Sequence, residues 1–98
     1  MSDSGSHGEE GYAGPVVVVA GEVTVRGEAH LSGHVEPVDG RFHWGGRLTP
    51  DPALAGLVRA GTRSVRVSVG DRPPCEARLG DVDPWGGVRL RGTGRPPW

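Results

Sequence analysis

Apolar and polar positions alternate along much of this chain. From Glu22 to Glu36 the odd positions include Val23, Val25, Ala29, Leu31 and Val35, while Glu22, Thr24, Arg26, Glu28, His30, Ser32, His34 and Glu36 fill the even ones. A period of two over that length predicts a strand with one buried face. The signature continues at even positions through Phe42, Trp44 and Leu48, and at odd positions through Val65, Val67 and Val69. It then runs through Cys75, Ala77 and Leu79, and last through Val88 and Leu90. With the apolar run Val16 to Ala20 in front, six strands are expected. The stretch TPDPALAGLVRAG breaks the alternation: Asp51 can cap, Pro52 suits a first helical position and Gly61 can end a short helix. The expected fold is all-β, a six-stranded antiparallel barrel or tight sandwich with one short helix between strands 3 and 4.

Turn chemistry turns the pattern into registers. A two-residue turn at Gly21-Glu22 pairs Ala20 with Val23 and Val18 with Val25, apolar against apolar. It leaves Val17 and Val19 on the outer face, where the helix, a partner or a second copy of the chain must cover them; a homodimer through Val17 and Val19 is one expectation. A two-residue turn at Asp39-Gly40 pairs Val38 with Arg41, Val35 with Trp44 and Leu31 with Leu48. The five residues GDRPP form the expected loop between strands 4 and 5, since Pro73 and Pro74 cannot donate ladder hydrogen bonds. The segments VVVVAGEVTVRGEAHLSGHVEPVDG and VRVSVGDRPPCEARLGDVDPWGG echo each other weakly, as two three-stranded meanders joined by the helix would.

Composition adds limits. The 98 residues suit one domain with a modest core, and 18 Gly with 9 Pro agree with many turns and few long helices. Residues 1–11 show no hydrophobic period and read as a disordered lead-in to a single domain over residues 12–98. Lys, Asn, Gln and Ile are absent, which points to a GC-rich genome, so codon bias accounts for an all-arginine set of cations. Without lysine there is no side-chain Schiff base. A formal net charge of −1 provides no field to attract nucleic acid or an anionic membrane, and neither is expected as a partner. Cys75 is the single cysteine, has inward parity and suits a reducing compartment; no secretory signal or membrane span is evident, so a cytoplasmic protein is expected.

Candidate chemistry concentrates in GHVEPVDGRFHWGGR, residues Gly33 to Arg47. With the turn at Asp39-Gly40, Glu36 falls directly across from His43, with Cβ atoms about 5 Å apart. A carboxylate in that position orients an imidazole for acid–base work, so His43 and Glu36 are the catalytic candidates. His34, Arg41, Trp44 and Arg47 are the ligand-binding candidates, Trp44 reading first as a core residue. Against this stands the plain reading of charged residues on the solvated face of a hairpin. No metal is expected, because His30 and His34 lie about 13 Å apart on an extended strand. RLRGTGR is too short a basic strand end for a nucleic-acid site, and RPPW reads as a flexible tail or a docking segment.

GYAGP at Gly11 to Pro15, with LSGHVEPVDGRFHWGGRL at Leu31 to Leu48, resembles a small actinobacterial domain of unknown function. That family occurs alone and as a C-terminal appendage of flavin-containing monooxygenases. The family commonly carries an aromatic residue at the position of Gly45. The resemblance implies association with oxidative or secondary metabolism and assigns no catalytic residue. The leading expectation is an accessory barrel binding a small apolar metabolite beside a flavin monooxygenase, holding no cofactor itself. One rival is a cofactor-independent cyclase or isomerase using His43 and Glu36; a structural dimerisation domain is another.

Overall fold

The computed structural model describes residues 9–98, with side chains from Gly11 onward. Residues 1–8, most of the expected lead-in, lie outside the described residues. Six strands and one helix follow in order: β1 (Glu9–Ala20), β2 (Val23–Val35), β3 (Phe42–Leu48), α1 (Pro52–Arg59), β4 (Ser64–Ser68), β5 (Cys75–Val82) and β6 (Val88–Thr93). The strands close into one antiparallel barrel in the order β1-β2-β3-β6-β5-β4. Two meanders, β1-β2-β3 and β4-β5-β6, thus meet along two seams, and closure leaves no strand as an edge along its whole length, although β1 meets β4 only at Val17–Val19.

Parity decides the interior. Val16 and Val18 of β1, Ala29 and Leu31 of β2, Trp44 and Leu48 of β3, and their counterparts on β4, β5 and β6 form one buried cluster. Among the described residues no polar or charged residue is buried. The Gly21-Glu22 turn has the expected register, with Ala20 opposite Val23 and Val18 opposite Val25. Val17 and Val19 are half-buried and flanked on both sides, by Arg26 and Thr24 of β2 and by Ser68 and Arg66 of β4.

Both ends of the barrel are closed by other parts of the chain. At the Leu48 end, α1 is capped by Asp51, whose Oδ1 accepts the Ala53 amide at 2.8 Å, and Pro52 occupies its first turn. Its Leu54 is fully buried, and a Cβ on Gly27 would lie 3.7 Å from Leu54 Cδ1. At the Phe42 end the C-terminal tail docks, which overturns the reading of RPPW as flexible. Pro97 is fully buried, and Trp98 stands edge-on against Trp44 at 6.0 Å and Phe42 at 6.5 Å. The Cys75 thiol donates to the Arg95 carbonyl at 3.1 Å, tying the tail to β5. Edge-to-face aromatic pairs add about 0.5–1.5 kcal/mol each beyond their buried area, so the tail is part of the core.

Two registers differ from expectation, each by two residues. Between β2 and β3 the pairs are Val35 with Phe42, His34 with His43, Gly33 with Trp44 and Leu31 with Gly46. The connection is therefore a four-residue loop over residues 37–40 and not a two-residue turn at Asp39-Gly40. Glu36 N–H donates to the Arg41 carbonyl at 2.7 Å, and Gly40 N–H to the Glu36 carbonyl at 2.8 Å. Only Gly40 has positive φ, at 70°, whereas a type I′ turn would demand it of Asp39 too. Pro37 takes the first position of the four-residue loop, where its fixed φ of about −65° suits a turn and no N–H is required of it. Val35 consequently sits at the barrel mouth, 56% exposed, rather than against Trp44. Between β4 and β5 the pairs are Val67 with Cys75 and Val65 with Ala77, so residues 69–74 lie between the two strands in place of the five-residue loop. Both slips are even-numbered and preserve which side chains face inward.

Candidate functional site

The four-residue loop rebuilds the expected constellation with different partners. Glu36 does not meet His43; the two imidazoles occupy directly opposed positions, His34 on β2 and His43 on β3. Each has its own carboxylate. His43 Nε2 lies 2.9 Å from Asp39 Oδ2, and His34 Nε2 lies 3.2 Å from Glu36 Oε2. Asp39 also accepts the Arg41 amide on Oδ1 at 2.9 Å. That backbone hydrogen bond, and next the one to His43, hold the Asp39 carboxyl below the usual carboxylate range, against a small opposing effect of burial. The loop therefore serves as a holder: its backbone orients Asp39, and Asp39 orients the His43 ring.

Arg41 is exposed beside this loop, while Arg47 lies on the same outer face as His43 toward the other end of β3 and reaches Asp83 of the β5–β6 loop through Nε at 3.5 Å. Trp44 is buried in the core, and its Nε1 has no hydrogen-bond partner. Trp44 thus touches the site from beneath, as part of the barrel wall.

Closure of the barrel brings β6 beside β3 and thereby adds residues that the linear sequence keeps apart. His43 lies opposite Thr93, Gly45 opposite Arg91, and Arg91 in turn opposite Arg78 of β5. A hollow of about 1010 Å³ runs over this wall, lined among others by His34, His43, Gly45, Arg78, Arg91 and Thr93. Ser32 is the residue opposite Gly45. A Cβ at Gly45 would come 2.7 Å from the Leu90 carbonyl, and one at Gly46 would collide with the His30 carbonyl. An aromatic residue at position 45 would therefore require β3 to shift, and the floor of the hollow is bare because the strands here approach too closely for a side chain.

The β5 and β6 contributions went unrecognised in the sequence. The usable signal was the outward parity of Arg78, Arg89 and Arg91 around inward Leu79 and Leu90; what was missing was which strand would lie next to β3.

The arrangement supports hydrogen bonding to a ligand better than covalent chemistry. Among the described residues the imidazoles are hydrogen-bonded to carboxylates, His34 to Glu36 and His43 to Asp39, and to no Ser, Thr or Cys. Cys75 is buried against the tail. Among the described residues no group of three or more His, Cys, Asp or Glu is placed to hold a metal ion, and no helix is long and apolar enough to cross a membrane.

The fold and site define a closed six-stranded barrel with an apolar filling and a polar hollow on its outer wall. Residues 9–98 match the family described as a domain of unknown function, DUF4873, and the chain belongs to that family. It is 28% identical over its whole length to uncharacterized protein Rv0943c of Mycobacterium tuberculosis and, equally, to uncharacterized protein Mb0968c of Mycobacterium bovis. The chain spans 28% of the length of those relatives. No solved structure matches it.

Proposed function

We propose that this chain is a non-catalytic, small-ligand-binding module that serves a larger enzyme, with its ligand lying in the hollow over His34, His43 and Gly45. The observation that carries this reading is the pair of opposed imidazoles, each oriented by its own carboxylate, on the wall of a barrel whose interior is filled with apolar side chains. Oriented hydrogen-bonding groups converging on a concave surface are what a small ligand requires. The relatives, in which a segment like this chain takes up 28% of the length, support a module working beside other domains. A flavin-dependent monooxygenase of secondary metabolism is the enzyme that the family resemblance favours, and a small metabolite with an apolar body is the proposed ligand.

The test is capture from a metabolite extract, read by native mass spectrometry after gel filtration. Wild-type protein is expected to retain a bound small molecule and His43→Ala to lose it. Equal retention by both proteins, or none by either, overturns the reading.

One observation favours a second reading. The 2.9 Å contact between Asp39 and His43 has the form of an oriented general base. A cyclase or isomerase acting through His43 would turn over the captured molecule, whereas a binding module would release it unchanged. A dimerisation role through the half-buried Val17 and Val19 would appear as a concentration-dependent mass in sedimentation, lost in the Val17→Thr, Val19→Thr double variant.

A further inference from the structure

Five arginines crowd one outer wall of a chain whose formal net charge is −1. Arg78 stands directly opposite Arg91 across the β5–β6 pair, and Arg47 directly opposite Arg89 across the β3–β6 pair. Arg63 approaches the same wall, donating to the Leu79 carbonyl at 3.5 Å. Opposed side chains have Cβ atoms about 5 Å apart, and like charges placed so destabilise a sheet. Two of the five have a carboxylate to answer them: Arg47 with Asp83 at 3.5 Å, and Arg63 with Asp81 at 3.8 Å. Among the described residues Arg78, Arg89 and Arg91 have none. Glu76, on the same face, also lines the first hollow, but it stands opposite Arg66 across the β4–β5 pair and forms no ion pair with Arg78 or Arg91. Codon bias explains why these cations are arginines; it does not explain why the fold sets them against each other.

The surface shape agrees. The hollow over His34 and His43 adjoins a second one of about 700 Å³, and the two share Gly45, Arg78 and Arg91 in their linings. The place where they meet is also where the wall has no covering side chains. A Cβ at Gly45 would lie 3.2 Å from Arg91 Cβ, and one at Gly80 would lie 3.1 Å from Arg89 Cβ. The bare glycines leave the arginine stems uncovered on both sides.

We propose that an oxyanion, a carboxylate or a phosphate group of a small ligand, binds between Arg78 and Arg91 over Gly45. This deepens the ligand-binding reading above, on which it rests for the hollow, by assigning the chemical class of the ligand: a small anion whose remaining body extends toward His43 and Thr93. Guanidinium groups present paired N–H donors that match two oxygens of one anion, and charge-assisted hydrogen bonds of this kind are the strong ones. An anion there also removes the repulsion between the two cations. A nucleic-acid strand fits less well, since no exposed Phe, Tyr or Trp side chain lines either hollow to stack a base.

The experiment is a titration of ¹⁵N-labelled protein with inorganic phosphate and, separately, with acetate, at ionic strength held constant with chloride. The backbone amide of Gly45 and the side-chain Nε–H signals of Arg78 and Arg91 are followed. Saturable shifts at these groups are expected, with Arg91→Gln and Arg78→Gln each weakening the apparent affinity by about tenfold, the loss of one charge-assisted bond. Arg26→Gln, on the outer face of β2, is expected to leave the affinity unchanged. The anion that saturates at the lower concentration identifies the group as phosphate or carboxylate. Shifts that never saturate, that spread equally to Arg26, or that saturate with unchanged affinity in Arg91→Gln overturn the proposal. Capture of a metabolite lost in His43→Ala but kept in Arg91→Gln would overturn the anion site and leave the ligand-binding reading standing. Saturable anion binding with no captured metabolite would support the anion site and remove that reading.

Discussion

The two halves of the hollow handle charge in opposite ways. On the β2–β3 side both imidazoles that line the hollow have an acid: Asp39 for His43 and Glu36 for His34, both supplied by the loop or the strand end beside it. On the β5–β6 side arginine faces arginine, and Arg78 and Arg91 have no carboxylate partner among the described residues. The first side is complete without a ligand, so its groups are fixed in advance; the second is complete only when something anionic arrives. The contrast separates orientation from attraction within one surface, and it can be broken at several points.

The largest effect is expected at the joint between the two sides. Gly46→Ala drives a methyl group into the His30 carbonyl and forces β2 and β3 apart, which should cost about 3 kcal/mol in a denaturant-unfolding experiment. Both halves should be lost together. Next comes the tail: Trp98→Ala removes the edge-on partner of Trp44 and Phe42 and should destabilise by about 2 kcal/mol, reduced from the buried-aromatic range because Trp98 is half-buried. A loss as small as that of a surface substitution would return RPPW to the status of a loose end. Arg78→Gln should act in the opposite sense. Relieving the opposed like charges should raise stability by about 0.5 kcal/mol at low salt, with the gain shrinking as salt is added. A variant that is more stable yet binds anions less well would mark that side as kept for a ligand.

The smallest effect concerns pH. The folded-state Asp39 carboxyl lies below its ordinary value of 3.8, chiefly through the Arg41 amide and then through His43. A depressed carboxylate contributes stability above its unfolded value and loses that contribution as pH falls through the folded one. The β2–β3 loop should therefore loosen in acid below the ordinary carboxylate range, visible as a low midpoint for the Asp39 carboxyl signal in an NMR titration. In Asp39→Asn the acid-dependent change at the Arg41 amide should disappear.

The registers show how far a linear reading reaches. Alternation alone placed Val18, Val25, Leu31, Trp44, Val67 and Leu79 inside, because each strand has one face toward a dry core and the wrong parity would bury arginines. Alternation cannot tell a register from one slipped by two residues, since both satisfy the core equally. That ambiguity was resolved by turn chemistry where it was simple, at Gly21-Glu22, and was misjudged at Asp39-Gly40. Pro37 carried a usable signal: its fixed φ suits the first position of a loop, and placing it there moves His43 from Glu36 to Asp39.

The candidate site divides along the same line. His34, His43, Asp39 and Glu36 are close in sequence, so their neighbourhood was legible even when the pairing was not. Arg78, Arg91 and Thr93 lie far along the chain from His43, and nothing local connects them to it.

By itself the sequence determined the strand count, the helix with its Asp51 cap, the inward residues and the cluster of histidines and acids in one hairpin, because each depends on periodicity or on neighbours within a few positions. Only the tertiary structure decided that β6 lies beside β3, that the tail closes one end of the barrel, and that two outward arginines face each other. Those outcomes follow from closing the sheet, and closure depends on contacts between segments that carry no mark of their partner in the local pattern.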